Sequence, residues 1–202
     1  MKVWAKICGV TRREDAEVAI AAGADAIGIN FFAGSPRFCD APSARRIVEG
    51  VAGRVTVYGL FVDETRDGIL ATIGETGVDG IQLHGDEPED LALDWGLQVL
   101  KAVRVSSRDH VRRALVAAKG YRVLLDSPRG GGSGTAFDES LVAGLDLSAC
   151  VVAGGLTPEN VSERIRQLKP WGVDVSSGVE ASPGIKDARG VREFVRNAKF
   201  AR

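Results

Sequence analysis

The sequence has few cysteines, and their spacing excludes a cysteine-based metal site. Its three cysteines, Cys8, Cys39 and Cys150, lie far apart along the chain, whereas zinc sites use closely spaced pairs such as C-x₂-C. The small, odd number indicates free thiols in a reducing cytoplasm rather than a disulfide framework. The sequence also shows no Ser–His–Asp order and no cofactor fingerprint, so we expect neither a metal nor a cofactor.

The sequence also lacks long apolar runs and an excess of charge. No stretch approaches the ~20 apolar residues of a membrane span, and residues 1–7 lack the apolar core and cleavage site of a signal peptide. The formal net charge is −1, which argues against nucleic acid or an anionic membrane as a partner. We therefore expect a cytoplasmic protein, a monomer or a homodimer, whose partner is a small molecule.

Aromatic residues are scarce, at 6%, whereas the chain contains 25 glycines. This combination is typical of tight turns around small apolar strands. Short apolar segments alternate with longer helical patterns, which predicts parallel strands joined by helices. The predicted strands are Val3–Ile7, Ala24–Ile29, Val55–Val62, Asp79–Leu83, Gln98–Val103, Arg122–Asp126, Ala149–Ala153 and Val173–Val175. The predicted helices are Arg13–Ala22, Ser43–Val51, Arg66–Glu75, Pro88–Trp95, Arg108–Lys119, Glu139–Gly144, Pro158–Leu168 and Ala188–Asn197.

Eight alternating units predict an α/β fold, a single (β/α)₈ barrel domain over residues 1–202. The chain allows about 25 residues per unit, which is compact for this fold. The competing architecture is an open doubly wound sheet, which carries a Gly-x-Gly-x-x-Gly turn after its first strand. Residues 6–11 read Lys-Ile-Cys-Gly-Val-Thr at that place, so the barrel is favoured.

Two consecutive predicted strands end in glycine and serine. Gly154 and Gly155 follow the seventh strand, and Ser177 and Gly178 follow the eighth. Such turns expose backbone N–H groups that bind a phosphate without dedicated lysines. The alternative is that each turn needs glycine only for steric reasons, which we would favour for one such turn. Two in succession favour a barrel of the phosphate-binding type.

A thiol and a carboxylate stand at the carboxyl ends of two other strands. Cys8 ends the first strand and Asp126 the sixth, at the end where barrels build their active sites. Lys6 faces the same side as Cys8, and its charge lowers the thiol pKa if the two are close. An acid and a base beside a phosphate site suit proton transfer on a sugar phosphate.

Two further residues are candidates for substrate binding. Arg37 follows Pro36 on the loop after the second strand, and its fork suits a carboxylate; a solvated surface arginine is equally compatible with the spacing. His84 follows Gln82 by two residues, so both face the same way. We expect His84 either to contact substrate or, slightly favoured, to be satisfied within the core.

Other segments predict local structure. The glycine-rich residues 127–135 after the sixth strand predict a lid. Thr11 and Glu14 have the spacing of a capping box, and Thr157 before Pro158 predicts another helix start. Asp187 is the expected N-cap of the last helix.

Together these motifs resemble the phosphoribosylanthranilate isomerase family of tryptophan biosynthesis. They occur in that family's order and span almost the whole chain. The segments that carry the resemblance are Lys6–Gly9, Ser35–Arg37, Gln82–Gly85, Leu124–Asp126, Gly131–Gly134, Gly154–Asn160, Asp174–Glu180 and Pro183–Asp187.

The resemblance implies a small (β/α)₈ barrel without metal or cofactor. It implies an Amadori rearrangement of N-(5-phosphoribosyl)anthranilate to 1-(2-carboxyphenylamino)-1-deoxyribulose 5-phosphate. By their match to the family motifs, Asp126 would be the general acid and Cys8 the general base. Arg37 would bind the anthranilate carboxylate, and Asp174 would contact ribose hydroxyls. The implied phosphate turns contain Gly154, Gly155, Ser177 and Gly178.

The sequence departs from the family in its second strand, where Asn30 stands in place of an aliphatic residue. Two alternatives stay open: another sugar-phosphate isomerase or epimerase barrel, and a barrel that binds a sugar phosphate without turnover. The histidine-pathway isomerase uses aspartates at the ends of strands one and five, where this chain has Cys8 and Ala102–Arg104. A pure binder would need neither Cys8 nor Asp126.

Overall fold

The computed structural model describes residues 2–128 and 136–201 and contains a closed barrel of eight parallel strands. All eight predicted strands are present, with ends within two residues of the predicted ones. Each strand pairs with the next, and the eighth returns to the first. The strands are β1 (Trp4–Ile7), β2 (Ala26–Asn30), β3 (Thr56–Phe61), β4 (Gly80–Leu83), β5 (Gln98–Arg104), β6 (Arg122–Asp126), β7 (Val151–Val152) and β8 (Gly172–Val175).

Helices connect the strands on the outside of the barrel. Short 3₁₀ turns lie between β4 and β5 (Glu89–Ala92), between β6 and β7 (Glu139–Leu141) and after β8 (Ser177–Val179). Among the described residues, no helix is long and apolar enough to cross a membrane. The α-helices are α1 (Arg13–Ala22), α2 (Ala41–Val51), α3 (Arg66–Thr76), α4 (Arg108–Ala117), α5 (Val161–Leu168) and α6 (Ala188–Lys199).

The barrel interior is filled in layers. The larger apolar cluster joins outward-facing strand residues to the helices. A smaller cluster, which includes Tyr58, Leu100 and Leu124, fills the amino-terminal part of the interior. Above it, towards the carboxyl ends of the strands, lie buried polar side chains such as Lys6 and Gln82. Buried polar groups at that end of a barrel are where its chemistry is built.

Two predicted helices are wrong. Residues 88–95 form only the 3₁₀ turn Glu89–Ala92, because Leu93 is extended and Asp94 adopts a left-handed φ of 58°. Residues 139–144 likewise form only Glu139–Leu141 before Gly144 turns at φ 73°. A residue in the left-handed conformation ends a helix. At Asp94 the sequence pattern did not reveal this conformation, because the residue is not a glycine.

Two predicted helix caps are also wrong. Helix α1 has Arg12 at its N-cap, while the Thr11 hydroxyl donates to the Gly184 carbonyl at 2.6 Å. Helix α5 begins only at Val161, and the Thr157 N–H donates to the Asn160 side chain at 2.9 Å. The cap at Asp187 is confirmed, because its carboxylate accepts from two backbone N–H groups at the start of α6.

A short antiparallel hairpin after β8 was not predicted. Strands β9 (Glu180–Ser182) and β10 (Ile185–Lys186) pair around a turn at Pro183 and Gly184. The glycine adopts φ 80°, which favours glycine over other residues. The predicted lid at residues 127–135 falls largely on residues 129–135, outside the described part of the chain.

Candidate active site

A cavity of about 300 Å³ opens at the carboxyl ends of the barrel strands. Its walls come from loops after most of the strands, so residues distant in sequence converge there. All the site residues predicted from the sequence line it, namely Cys8, Arg37, His84, Asp126, Gly154, Gly155, Asp174, Ser177 and Gly178.

Cys8 lies directly after β1, beside a buried ion pair. The Lys6 ammonium contacts Asp174 at 3.0 Å, and both side chains are almost fully buried. Neighbouring Gly28 leaves the room for them: a Cβ there would lie 2.9 Å from Cys8 Sγ and 3.0 Å from Lys6 Nζ. The absence of a side chain at Gly28 thus lets the thiol and the ammonium pack side by side.

Burial dominates the charge state of this thiol. Loss of solvent raises the pKa of Cys8 above its ordinary value, and the charge of Lys6 opposes that rise without cancelling it. Burial alone would lower the pKa of Lys6, but the charges of Asp174 and Cys8 outweigh it, so that pKa is raised. Lys6 is close to Cys8 as the spacing suggested, and its charge lowers the thiol pKa as expected, but the larger effect of burial makes the net shift upward.

Asp126 ends β6 and joins a row of three hydrogen-bonded side chains. Its carboxylate lies 3.0 Å from His84 Nε2, and His84 Nδ1 lies 2.9 Å from Gln82 Nε2. Gln82 is fully buried, and its Oε1 has no partner among the described residues. His84 is therefore satisfied by neighbours and also lines the cavity. Sequence reasoning missed Gln82 as a site residue, although its two-residue spacing from His84 was the available signal.

Arg37 lines the cavity, and part of its guanidinium is already hydrogen-bonded to another side chain. Its Nε and Nη2 donate to the Glu180 carboxylate at 2.9 and 2.8 Å, and Lys186 contacts the same carboxylate at 2.9 Å. Burial alone would raise the pKa of Glu180, but the hydrogen bond from Arg37 and the charge of Lys186 hold it below its ordinary value. Glu180 and Lys186 were not predicted, because their positions depend on the hairpin.

The turns after β7 and β8 meet at close range. Gly154 and Gly155 adopt left-handed φ values of 78° and 64°. A Cβ at Gly178 would lie 1.9 Å from the Leu156 carbonyl oxygen, so only glycine fits there. Among the described residues, the N–H groups of Gly154, Gly155 and Gly178 have no hydrogen-bond acceptor.

Two more polar groups in these turns have no hydrogen-bond partner among the described residues. Ser177 and Gly178 begin the 3₁₀ turn after β8, and the Ser177 N–H also has no acceptor among the described residues. The preceding Ser176 Oγ is buried and lacks a partner in the same part of the chain. A cluster of unpaired donors at a cavity wall has the chemistry of an anion site.

Two polar residues that line the cavity, Asp174 and Asn30, hydrogen-bond to other residues of the chain. Both carboxylate oxygens of Asp174 accept from Lys6, at 3.0 and 3.1 Å, so its contact with ribose hydroxyls stays a prediction. Asn30 lines the cavity, but its side chain accepts from the Phe32 N–H and donates to Ser35. Asn30 thus braces the loop that carries Arg37.

Sequence comparison places these features in a known family. Residues 5–197 match the model of the family described as N-(5′-phosphoribosyl)anthranilate (PRA) isomerase. A protein of that name from Myxococcus xanthus (strain DK1622) is 47% identical over 206 residues, covering 98% of this chain and 97% of the relative. Another from Pseudomonas aeruginosa (strain LESB58) is 48% identical over 197 residues, covering 94% of this chain and 92% of the relative.

Solved structures agree with the sequence comparison. The phosphoribosyl anthranilate isomerase of Thermotoga maritima superposes with a TM-score of 0.89 at 41% identity, covering 98% of both chains. A phosphoribosyl anthranilate isomerase solved in complex with reduced 1-(o-carboxyphenylamino)-1-deoxyribulose 5-phosphate superposes with a TM-score of 0.86 at 39% identity, again covering 98% of both chains. The barrel and its cavity therefore have close structural relatives.

Proposed function

The chain belongs to the N-(5′-phosphoribosyl)anthranilate isomerase family, and we propose that Cys8 and Asp126 carry the two proton transfers of its reaction. The reaction rearranges N-(5-phosphoribosyl)anthranilate to 1-(2-carboxyphenylamino)-1-deoxyribulose 5-phosphate, a step of tryptophan biosynthesis. It is an isomerisation, so no atom is gained or lost overall. Two positioned proton transfers account for it, and the proposal needs neither a metal nor a cofactor.

Asp126 is the proposed general acid. It donates a proton to the ribose ring oxygen, and the C1′–O bond breaks to give an open-chain Schiff base. His84, 3.0 Å from the Asp126 carboxylate, fixes the orientation of this group, and Gln82 fixes that of the ring. Such a row holds the acid in one place while the substrate ring opens.

Cys8 is the proposed general base. Its thiolate removes the proton from C2′ of the Schiff base, the electrons move to the imine nitrogen, and the resulting enolamine tautomerises to the ketose. Lys6 supports this role, because its ammonium stabilises the thiolate and is itself held in place by Asp174. The acid and the base each contribute about 10²–10⁴-fold to such a reaction.

The rest of the cavity holds the two charged ends of the substrate. We assign the phosphate to the free N–H groups of the turns at Gly154–Gly155 and Ser177–Gly178. Arg37 binds the anthranilate carboxylate, and Asp174 is the candidate for contact with the ribose hydroxyls. The protein acts as one barrel domain in the cytoplasm, as a monomer or a homodimer; one T. maritima structure is described as that of monomers generated from the dimeric isomerase.

One observation carries the proposal: Cys8, Asp126 and the two glycine turns open into the same cavity. The histidine-pathway isomerase is disfavoured because β5 ends in Arg104, where that enzyme needs an aspartate. A barrel that only binds sugar phosphates would have no use for the thiol and the carboxylate beside the turns.

The test is the loss of phosphoribosylanthranilate fluorescence on addition of purified protein. We expect turnover by the wild type, and a loss of about a hundredfold or more in kcat for both Asp126→Asn and Cys8→Ser. Cys39→Ser and Asp109→Asn make the same chemical changes at residues outside the cavity lining, and should retain activity.

Three outcomes separate the alternatives. Turnover that survives Cys8→Ser would keep the reaction and move the base elsewhere. Saturable substrate binding without turnover would identify a non-catalytic barrel. Turnover of a different sugar phosphate, with none of phosphoribosylanthranilate, would place the chain with another isomerase or epimerase.

A further inference from the structure

We propose that Glu180 is a positioning residue that makes the Arg37 clamp selective for substrates with a carboxylate on the aromatic ring. This inference rests on the proposed function, since it concerns the group that Arg37 would bind. It assigns a role to the β9–β10 hairpin, which supplies Glu180 and Lys186 to the cavity wall.

Glu180 occupies one edge of the guanidinium and leaves the other edge free. Its two oxygens accept from Arg37 Nε and Nη2, at 2.9 and 2.8 Å, which is a side-on arrangement. A guanidinium has five N–H donors in a fixed plane. The second N–H of Nη2 and one N–H of Nη1 therefore form the free edge at the tip of the guanidinium, here called the end edge. Nη1 has no acceptor among the described residues. That end edge matches a second carboxylate with two parallel hydrogen bonds.

The stem of Arg37 is fixed close to the reacting thiol. A Cβ at Gly9 would lie 2.7 Å from Arg37 Cδ, so the arginine chain passes directly over the residue that follows Cys8. The arginine side chain is only 11% exposed and that of Glu180 5%. A long side chain held at its stem and along one edge loses little further freedom when a ligand binds the remaining edge.

The charge of the cluster is incomplete without a ligand. While Cys8 is the neutral thiol, which burial favours, Arg37 and Lys186 carry two positive charges around the one negative charge of Glu180, and the Lys186 side chain is fully buried. Buried charges are unfavourable unless they are paired. A substrate carboxylate on the free edge supplies the missing negative charge, whereas an uncharged ring leaves the excess unpaired.

The hairpin fixes Glu180 from its other side. The Gly184 N–H donates to Glu180 Oε1 at 3.2 Å, and the backbone N–H of Lys186 donates to buried Asp15 at 3.1 Å. Lys186 Nζ also reaches the Ser176 carbonyl at 3.3 Å. The carboxylate that orients Arg37 is thus anchored to the barrel through both strands of the hairpin.

The experiment compares two substrates that differ only in the ring carboxylate. Ribose 5-phosphate condenses with anthranilate or with aniline to give the two glycosylamines, and the ketose products are separated by chromatography. We expect the wild type to prefer the carboxylated substrate in kcat/KM by about a hundredfold or more, as a site built to pair a polar group does. Glu180→Gln should reduce that preference by at least about tenfold, mainly by slowing the carboxylated substrate.

Further variants distinguish positioning from a general loss of structure. Arg37→Met should abolish the preference, and adding Glu180→Gln to it should cause no further loss, because both residues act through one guanidinium. Glu180→Asp keeps the charge and should restore part of the preference. Glu193→Gln removes a carboxylate from an exposed ion pair on α6 and should leave the preference unchanged.

The outcomes separate this inference from the proposed function. If Glu180→Gln slows both substrates equally, or if it slows the carboxylated substrate further in the Arg37→Met background, the positioning role is wrong while the reaction stands. If the wild type converts neither substrate, the proposed function fails first. If circular dichroism shows that Glu180→Gln is unfolded, the double variant Glu180→Gln/Lys186→Met is measured instead, because it removes one charge of each sign. The same loss of preference is expected for it.

Discussion

At the scale of single residues, the reactivity of Cys8 depends on charges that oppose one another. Burial raises the pKa of its thiol, the Lys6 ammonium lowers it and the Asp174 carboxylate raises it, while Lys186 adds a further lowering charge. Arg37 is near enough to respond to the thiolate. The fraction of active thiolate at neutral pH is therefore set by the balance within this buried cluster.

Lys6→Met should move the rising limb of the kcat/KM pH profile to higher pH. The thiolate is the active form of the base, and removing a nearby cation raises the thiol pKa, so less thiolate exists at pH 7. A shift of one unit reduces the rate below the pKa about tenfold. The measurement is the pH profile of phosphoribosylanthranilate turnover, and Asp174→Asn is the matched variant. Asp174→Asn removes the opposing anion, so the rising limb of its pH profile should move to lower pH. A shift of the limb in the same direction for both variants would contradict this account.

The polar residues of the site were predictable for a simple geometric reason. The carboxyl ends of parallel strands meet at one end of a barrel, so Cys8, Asp126 and His84 converge although their numbers are far apart. Glu180 and Lys186 were not predictable in this way. The contacts of Glu180 with Arg37 and with Lys186 depend on the pairing of β9 with β10, which a three-residue strand does not reveal through periodicity.

At the scale of elements, strand prediction succeeded where helix prediction partly failed. The strands are short, apolar and bounded by glycine or polar turns, and all of them formed where expected. The segments at residues 88–95 and 139–144 have helical spacing but are only 3₁₀ turns. Each lies beside a residue with left-handed backbone. At Asp94 that residue is not a glycine, so the sequence carried no signal for it.

The two turns that form the proposed phosphate site behave as one element. Gly178→Ala places a methyl group 1.9 Å from the Leu156 carbonyl oxygen, so the turns must separate and their N–H groups lose their common focus. We expect KM for phosphoribosylanthranilate, and the inhibition constant of inorganic phosphate, to rise about tenfold or more, because several charge-assisted hydrogen bonds weaken together.

The matched control is another glycine-to-alanine change. Gly74 lies in α3 with no atom near its would-be Cβ, so Gly74→Ala should leave KM unchanged and stabilise the helix by about 0.5–1 kcal/mol. Equal effects of the two substitutions on KM would contradict the proposed phosphate site.

At the scale of the whole molecule, closure of the barrel joins the two ends of the chain. β1 pairs with β8 along four residues, so Trp4 lies beside Gly172 and Val175 beside Ile7. The last helix completes this closure, since Lys199 donates to the Val3 carbonyl. A closed sheet has no free edge, so local loss of a strand pairing opens the whole barrel. Buried ion pairs between neighbouring loops and strands therefore contribute to global stability.

One such pair predicts how the barrel responds to acid. Glu87 contacts Lys101 at 2.6 Å and accepts from the N–H groups of Asp63 and Gly85. Burial alone would raise the pKa of Glu87, but the Lys101 contact and the two N–H groups hold it below its ordinary value. A carboxylate with a lowered pKa stabilises the folded state above its unfolded pKa, and that contribution disappears as the pH falls through the folded one.

Glu87→Gln should therefore destabilise the barrel at pH 7 and flatten its acid response. The amide leaves the Lys101 charge buried and unpaired, at a cost of about 1–3 kcal/mol in the free energy of unfolding. As the pH falls from the unfolded pKa of about 4.3 through the lower folded pKa, the wild type loses the same contribution, so the two stability curves should converge. The measurement is urea unfolding between pH 3 and 7.

The control is the double variant Glu87→Gln/Lys101→Met, which removes both charges and should be more stable at pH 7 than Glu87→Gln. Parallel curves of stability against pH for the wild type and Glu87→Gln would show that the pair contributes nothing to the acid response.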